Sequence, residues 1–173
     1  MDESLVNRIV DFFGASLTPA SSSSIDQFAL PENIKTFLKS KGLPLELENN
    51  LLLHFYADAE ELTTYTNEKG HFLIIGDDYG TKLGLKESTG EVLSFDPDAT
   101  LLIRFVNSSI LTLLACLAIY SEKQPVLAQA GDDEAAKIVA EMRDEFRALD
   151  AKVVNNPENW WSVILEQVEQ GML

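Results

Sequence analysis

The sequence is poor in cysteine and has no long hydrophobic run. Its single cysteine, Cys116, cannot form an internal disulfide, and such cysteine usage is typical of a reducing compartment. The longest mostly apolar run, residues 110–120, is far shorter than the roughly 20 residues that span a bilayer. The acidic N-terminus precedes an amphipathic stretch and not the apolar centre of a signal peptide. We therefore expect a cytoplasmic protein that does not bind a membrane.

Motifs of the common enzyme classes are also missing. There is no His-Glu-x-x-His, no Cys-x-x-Cys, no glycine-rich phosphate loop and no Gly-x-Ser-x-Gly elbow. Cys116 lies in a leucine-rich stretch, and His54 and His71 lie in or beside apolar stretches, so packing explains all three better than catalysis does. Asp77 and Asp78 lack the ligand spacing of a calcium loop. We expect no catalytic residue, no metal and no cofactor.

Basic side chains are scarce. The 173 residues include 13 Lys and Arg against 28 Asp and Glu, which gives a net charge of −15 and a pI near 4.4. Nucleic acids and anionic membranes repel an acidic surface, so the composition argues against direct binding to either and favours a basic protein partner. The charge has an alternative explanation, because many acidic proteins use it for solubility alone.

The remaining pattern predicts a single α+β domain over residues 1–173. Apolar and alternating runs predict a mainly antiparallel sheet of about five strands, at residues 51–56, 71–76, 82–86, 91–95 and 101–106, with a further short strand at 62–66. Helical spacing predicts N-terminal helices at residues 2–13 and 31–42, a leucine-rich helix capped by Asn107 or Ser108, and a C-terminal helical pair at 132–149 and from 156. Residues 18–24 are expected to form a surface loop, and residues 121–131, with Pro125, a connection.

Several motifs follow one another in a fixed order through the second half of the chain. They are Ile75-Gly76-Asp77, Ser88-Thr-Gly-Glu-Val92, Phe95-Asp-Pro97, and Phe105-Val-Asn-Ser-Ser109 followed by the leucine-rich helix. This order resembles the fourth branch of the SUKH superfamily. Residues 37–44 resemble its N-terminal helix and turn, and residues 149–150 and 160–173 its closing segment, so the resemblance covers residues 34–173. Most members are immunity proteins that bind and neutralise a toxin domain encoded beside them, and the resemblance implies that role.

Acidic side chains fall in four clusters, at residues 58–61, 77–78, 96–98 and 132–134. Loops at one end of a sheet converge, so two or three clusters are expected to form one patch. Aromatic anchors usually supply more of the affinity, which makes Tyr79 the best exposed anchor and Trp161 a weaker one, since Trp161 can equally pack the last helix. The candidate partner-binding residues are Asp58, Glu60, Glu61, Asp77, Asp78, Tyr79, Asp96, Asp98 and Trp161.

The resulting hypothesis is stoichiometric inhibition of a basic, nucleic-acid-targeting toxin domain, with no cofactor and no turnover. Electrostatic attraction would bring the two proteins together at rates of about 10⁸ M⁻¹s⁻¹ at low salt. Two alternatives stay open: a non-catalytic adaptor or regulator with a host protein partner on the same fold, and a hydrolase with an unrecognised site. The sequence does not predict the oligomeric state.

Overall fold

The computed structural model describes residues 3–45, 52–96 and 103–173, and these residues form an α+β fold. Its six α-helices are α1 (Glu3–Phe13), α2 (Ser22–Gln27), α3 (Glu32–Ser40), α4 (Ile110–Leu127), α5 (Asp132–Leu149) and α6 (Trp160–Glu169). Its eight strands are β1 (Leu17–Thr18), β2 (Leu43–Pro44), β3 (His54–Phe55), β4 (Thr64–Asn67), β5 (Gly70–Asp77), β6 (Lys82–Lys86), β7 (Val92–Phe95) and β8 (Ile103–Asn107). The predicted fold class is confirmed, with helices before and after the sheet.

Six of the strands form one antiparallel sheet. The order along it is β3, β5, β6, β7, β8, and β4 pairs with the same edge of β5 as β3 does. Strand β3 lies opposite Gly76 and Asp77, whereas β4 lies opposite residues 70–73, so one long strand holds two short ones end to end. β3 is shorter than the predicted 51–56, and of that prediction Leu51 lies outside the described residues. Strands β1 and β2 form a separate pair.

The central strand β5 is buried on both faces. Leu73 and Ile75 belong to the main core beneath the helices, whereas Phe72 and Ile74 point to the outer face of the sheet, as the alternation of a strand requires. On that outer face Phe72 packs against Phe95 with ring centroids 5.1 Å apart. A glycine is needed between them, because a Cβ at Gly84 would lie 2.9 Å from the Phe95 ring. The outer face therefore has a small aromatic core of its own.

Helix α4 is the centre of the main core. Ser109 caps it, with its Oγ accepting the Thr112 N–H at 3.2 Å, in place of the predicted Asn107 or Ser108. By length and composition alone α4 could cross a membrane, with a mean hydropathy of 1.3. In the fold 56% of its residues are buried, and it contacts α1, α5 and β8, which is the environment of a core helix.

The expectation that residues 121–131 form a connection is wrong for its first part. Helix α4 continues through Pro125 to Leu127. Proline removes one backbone hydrogen bond, to the carbonyl of Ser121, but at this position only a single turn of helix remains to be lost. The Ala128 N–H still donates to the Gln124 carbonyl at 3.0 Å, so the last turn closes around the proline.

The predicted surface loop at residues 18–24 is shorter than expected and spans residues 19–21. Thr18 ends β1 and Ser22 begins α2. Ser22 and Ser23 are exposed, whereas Ser21 and Ser24 are partly buried. The buried side chain of Ile25 anchors the short helix to the core. The chain also passes very close to Gly42, where a Cβ would lie 1.7 Å from the Thr18 carbonyl oxygen. Polar composition alone did not predict the strand end and the helix start within this stretch.

The C-terminal helical pair is confirmed, with a later start for its second member. Helix α5 has the predicted bounds, but α6 begins at Trp160 and not at Asn156. The Asn156 side chain accepts the Glu158 N–H at 2.9 Å and so forms a turn. Asn159, just before the helix, donates its side-chain amide to the Lys152 carbonyl at 2.8 Å, which ties this turn to the end of α5.

Asp150 joins the end of α5 to the start of α4. Its carboxyl group is almost fully buried and accepts the Ser108 N–H at 2.6 Å, the Ser108 hydroxyl at 3.0 Å and the Thr112 hydroxyl at 3.3 Å. The Lys152 N–H adds a further bond at 3.3 Å. One side chain thus satisfies donors from two parts of the chain that lie some forty residues apart.

We predict that Asp150→Ala lowers the free energy of unfolding by about 2–4 kcal/mol, because it leaves the Ser108 N–H and hydroxyl without their buried acceptor. Urea denaturation followed by circular dichroism measures the change. The control is Asp144→Ala, which removes an exposed carboxylate whose partner is Arg147, and should change stability by less than about 0.5 kcal/mol. Equal effects of the two variants would contradict the conclusion that the buried Asp150 carboxyl group stabilises the contact between the end of α5 and the start of α4.

Candidate functional site

A groove of about 560 Å³ opens on the outer face of the sheet, at the edge formed by β3 and β4. Its apolar and aromatic lining is Tyr56, Tyr65 and Ile74. Its polar lining is His54, Glu61, Thr63, Thr64, Asp77 and Lys82. Two of the candidate partner-binding residues, Glu61 and Asp77, therefore lie in one site.

The pairing of two strands with one edge of β5 creates this groove. The Tyr56 N–H donates to the Ile75 carbonyl at 2.9 Å, and the Ile74 N–H donates to the Thr63 carbonyl at 2.8 Å. The chain between these contacts has to leave the sheet edge and return to it. Residues 57–62 do so as a tight turn, with the Leu62 N–H on the Asp58 carbonyl at 3.0 Å.

The turn holds three acidic side chains outward. Ala57 and Leu62 are buried at its two ends, whereas Asp58, Glu60 and Glu61 are exposed. Within the described residues these three carboxylates have no hydrogen-bond or ion-pair partner of their own. The turn therefore carries negative charge that is available to a partner, as the sequence predicts for this cluster.

The aromatic wall of the groove is held rigidly. Tyr65 stacks on Phe95 with ring centroids 5.1 Å apart and planes inclined by 21°. Phe95 is itself buried against Phe72, so the Tyr65 ring rests on the aromatic core of the outer face. The Tyr65 ring therefore forms a packed aromatic wall of the groove.

Tyr56, Asp77 and Lys82 form a hydrogen-bonded cluster at the other end of the groove. The Tyr56 hydroxyl donates a short hydrogen bond to Asp77 Oδ2, and Lys82 Nζ donates to the Tyr56 oxygen at 2.9 Å. Lys82 Nζ also lies 3.7 Å from Asp77 Oδ2 and 5.4 Å from the centre of the Tyr56 ring. His54 Nδ1 lies 4.0 Å from the same carboxylate oxygen.

The cluster keeps each member in its ordinary charge state at neutral pH. Burial, together with the hydrogen bond to Asp77, raises the pKa of the Tyr56 hydroxyl. Burial opposes ionisation of Asp77, but the hydrogen bonds from Tyr56 and from the Tyr79 N–H and the charge of Lys82 outweigh it and lower its pKa. The hydrogen bond to Tyr56, against burial and with help from Asp77, raises the pKa of Lys82. A neutral phenol, an anion and a cation that satisfy one another suit recognition better than acid–base catalysis.

Asp78 is half-buried, and its carboxylate is engaged within the chain. Its Oδ1 accepts the Thr81 N–H at 2.6 Å and the Thr81 hydroxyl at 2.9 Å. Its Oδ2 accepts the indole N–H of Trp160 at 2.9 Å. Asp77 is likewise half-buried. The hydrogen bonds of both aspartates hold the conformation of the loop, which leaves their carboxylates less available to a partner.

Tyr79 is the exposed tip of this loop. Its side chain is 68% exposed, and its φ of 64° lies in the left-handed region that bulky residues rarely adopt. The Tyr79 N–H donates to Asp77 Oδ1 at 3.1 Å, so the aspartates hold it there. A backbone conformation of this kind costs about 1–3 kcal/mol and occurs preferentially at functional sites. The exposure expected of this anchor is confirmed.

The other candidate residues divide into two groups. Asp96 is half-buried after β7, and Asp98 lies outside the described residues. Trp161 is fully buried, so the packing alternative is right for it. Its indole N–H donates to Asn107 Oδ1 at 2.9 Å, and its ring packs edge-on to Phe146 at 4.6 Å, which leaves no surface for a partner.

Sequence reasoning missed most of the groove. Tyr56 directly follows β3, Tyr65 lies on β4 and Lys82 lies on β6, and the three meet only because of how these strands pair with β5. Spacing along the chain carries no signal for such a meeting. The available signal was the alternation within each predicted strand, which places each side chain on a face without showing which face is open.

The side chains that could act as catalytic groups are engaged in packing or in hydrogen bonds within the fold. Cys116 is fully buried, and burial raises the pKa of its thiol to about 12. His71 packs on the Phe28 ring and lies 3.5 Å from Glu87. Ser108 is bound to Asp150. In the part of the chain that the structure describes, no three His, Cys, Asp or Glu side chains are grouped closely enough to hold a metal ion.

We predict that Cys116 resists alkylation in the native state. With a thiol pKa of about 12, only about one molecule in 10⁴ carries the reactive thiolate at pH 8, and burial blocks access to it. Labelling by iodoacetamide at pH 8, followed by mass spectrometry, should be at least about 10³ times slower in buffer than in urea. Comparable rates in the two conditions would show that α4 opens readily and would contradict its place in the core.

Comparison with known proteins gives one match. The family model described as SUKH-4 immunity protein matches residues 7–167, which include the whole groove and the Tyr79 loop. No curated protein and no solved structure matches the chain. The family resemblance drawn from the sequence motifs is thereby confirmed.

Proposed function

The chain belongs to the SUKH-4 immunity protein family, and from that premise we propose that it neutralises a cognate bacterial toxin domain by direct stoichiometric binding. Membership implies toxin neutralisation in general. The partner surface is the outer-face groove together with the Tyr79 loop and the acidic turn at residues 57–62. Neutralisation takes place in the cytoplasm, where the cell would otherwise be exposed to the toxin.

The observation that carries this proposal is the exposed, backbone-strained Tyr79 beside a preformed aromatic groove. An aromatic side chain at the tip of a loop buries a large area at a small cost in side-chain entropy. The groove next to it offers the rigid Tyr65 wall and the unpaired Glu61 carboxylate. Together they supply the central aromatic anchor and the charged rim of a protein interface.

The charge of the chain suits a basic toxin domain. Domains that bind or cut nucleic acid carry basic grooves, and a net charge of −15 attracts them before contact. The acidic turn places Glu61 in the lining of the groove and carries the exposed Asp58 and Glu60 beside it in the chain. These carboxylates accelerate the encounter, and the aromatic contacts then set how long the complex lasts.

The direct test is co-expression with the toxin domain encoded beside this chain. The proposal expects restored growth and a one-to-one complex in size-exclusion chromatography. Growth rescue with a complex that never forms would point to an enzyme that modifies the toxin or its product. A stable complex with a host protein that is harmless when expressed alone would move the assignment to an adaptor.

We predict that Tyr79→Gly raises the Kd for the toxin domain by about 30-fold or more, as expected for loss of a central aromatic anchor. Glycine adopts positive φ without strain, so the free energy of unfolding should stay equal or rise. Calorimetric titration with an inactivated toxin domain gives the Kd, and urea denaturation gives the stability.

The matched control is Ser88→Gly. Ser88 is the other non-glycine residue with positive φ within the described chain, at 67°, and it is exposed at the opposite end of β6. Glycine keeps the Ser88 N–H bond to the Ala29 carbonyl. This variant should leave the Kd within about twofold. An unchanged Kd for Tyr79→Gly would remove the Tyr79 loop from the interface.

We also predict that the double variant Glu60→Lys, Glu61→Lys slows toxin association about tenfold or more at low salt and flattens its salt dependence. Both side chains are exposed on the acidic turn and take no part in its hydrogen bonds, so folding should be preserved. The same test on Asp77 and Asp78 would disrupt the loop, because their carboxylates hold it together. Stopped-flow mixing at several salt concentrations measures the rate.

The control for charge alone is Glu141→Lys, Asp144→Lys. It makes the same change in net charge on exposed positions of α5, in the helical layer on the other side of the sheet. Its association rate should fall much less. If both double variants slow association equally, net charge and not the acidic turn steers the encounter.

A further inference from the structure

A second groove, of about 800 Å³, lies on the helical side of the domain. It is bounded by the last turns of α1 and α4, the first turn of α5 and the end of α6. Tyr120, Leu127 and Val168 line it, and the first and last of these belong to the main core. The sheet and α4 separate this helical groove from the outer-face groove, whose Tyr65 and Ile74 pack in the other cluster.

Two exposed apolar side chains lie at the helical groove. Five large hydrophobic residues are exposed within the described chain: Phe12 at 38%, Tyr79 at 68%, Val126 at 51%, Met172 at 60% and Leu173 at 55%. Of these, Phe12 and Leu173 line the groove. Exposed apolar side chains that line a concavity are typical of a binding surface, whereas scattered exposed residues are not.

The rim of the helical groove is acidic. Asp132 and Glu169 are the charged side chains in its lining, and no basic residue is among its described lining. Glu169 has one distant partner, with its Oε2 4.0 Å from Arg143. The exposed Asp133 and Glu134 extend the negative charge along the first turn of α5.

This charge argues against a second copy of the chain as the occupant. A two-fold dimer would place the same patch of both chains face to face, and so would bring acidic rims together. Each chain also carries a net charge of −15. The complementary ligand is therefore apolar on one side and basic on the other.

The groove favours a helix over an extended strand. The described residues of its walls belong to helices and helix ends and to no β-strand, so an extended peptide finds no strand edge with which to form a ladder. An amphipathic helix instead needs only an apolar trough for its side chains at every third and fourth position.

We propose that the helical groove binds an amphipathic helical segment of a protein partner, with its apolar side chains on Leu127, Val168 and Leu173 and its Lys or Arg side chains beside Asp132 and Glu169. This site is separate from the outer-face groove, so the toxin and the helical segment can be bound at the same time. The proposal does not depend on the identity of the toxin, or on toxin binding at all.

The test uses the full chain, labelled with ¹⁵N, and three synthetic peptides. The first is an amphipathic helix of Leu and Lys, the second has the same composition in an order without an apolar face, and the third has Glu in place of Lys. The proposal expects saturable shifts at Phe12, Leu127 and Val168 with the first peptide, and binding weaker by about tenfold or more with the other two. Equal binding of the second peptide would reduce the interaction to charge and overturn the proposal.

A variant and a control test independently where on the domain the peptide binds. Phe12→Ser, Leu173→Ser removes exposed apolar surface from the lining without a change in charge, and should weaken the first peptide about fivefold or more. Tyr79→Ser removes an exposed side chain on the other side of the domain and should leave the binding unchanged. Shifts centred on Glu60 and Glu61, or equal effects of the two variants, would overturn the proposal. So would a dimer in sedimentation that the double variant abolishes, because it would make a second copy the occupant.

Discussion

Two adjacent indole N–H groups connect the core of this domain to its candidate site. Trp161 donates into the buried junction between β8 and α4, to Asn107, and Trp160 donates to Asp78 in the Tyr79 loop. A buried donor without an acceptor costs about 1–3 kcal/mol, so each bond constrains both partners. A shift of helix α6 would therefore break its hydrogen bond to the loop. The conformation of Tyr79 depends in this way on packing far from it in sequence.

The sequence predicted the elements whose signal is local. The alternation in β6 and the acidic first turn of α5 correspond to their observed bounds, because burial on one face and the helix dipole act within a few residues. Prediction failed at helix ends, where a residue that commonly caps or stops a helix has more than one local conformation open to it. Pro125 ends a helix in isolation, but here one remaining turn still closes behind it. Asn156 has the chemistry of a helix cap, but its side chain forms a turn, and the helix starts four residues later.

The candidate site divides in another way. Exposure of Tyr79 and of the acidic turn follows from local composition, and both were predicted. The roles of Asp77 and Asp78 depend on Tyr56, Lys82 and Trp160, which approach from other strands and from the last helix. The formal charge of the Tyr79 loop therefore overstates the negative charge that it offers to a partner. Of the acidic groups near the groove, those of the 57–62 turn are available to a partner, while the loop aspartates are occupied within the chain.

Helix α6 contacts the Tyr79 loop at one end and lines the helical groove at the other, yet the packing argues against coupling between the two. Trp160 reaches the Tyr79 loop from the first turn of α6, and Val168 and Glu169 reach the helical groove from its last turn. Energetic coupling needs an element with two arrangements that both ligands bias. Both tryptophans are buried, and their rings pack at 4.9 Å against each other, so α6 is locked to the core by contacts that a shift would break. A rigid connection of this kind fixes the geometry of both sites. Binding at one site then leaves the affinity of the other unchanged, so the binding free energies of two partners should add.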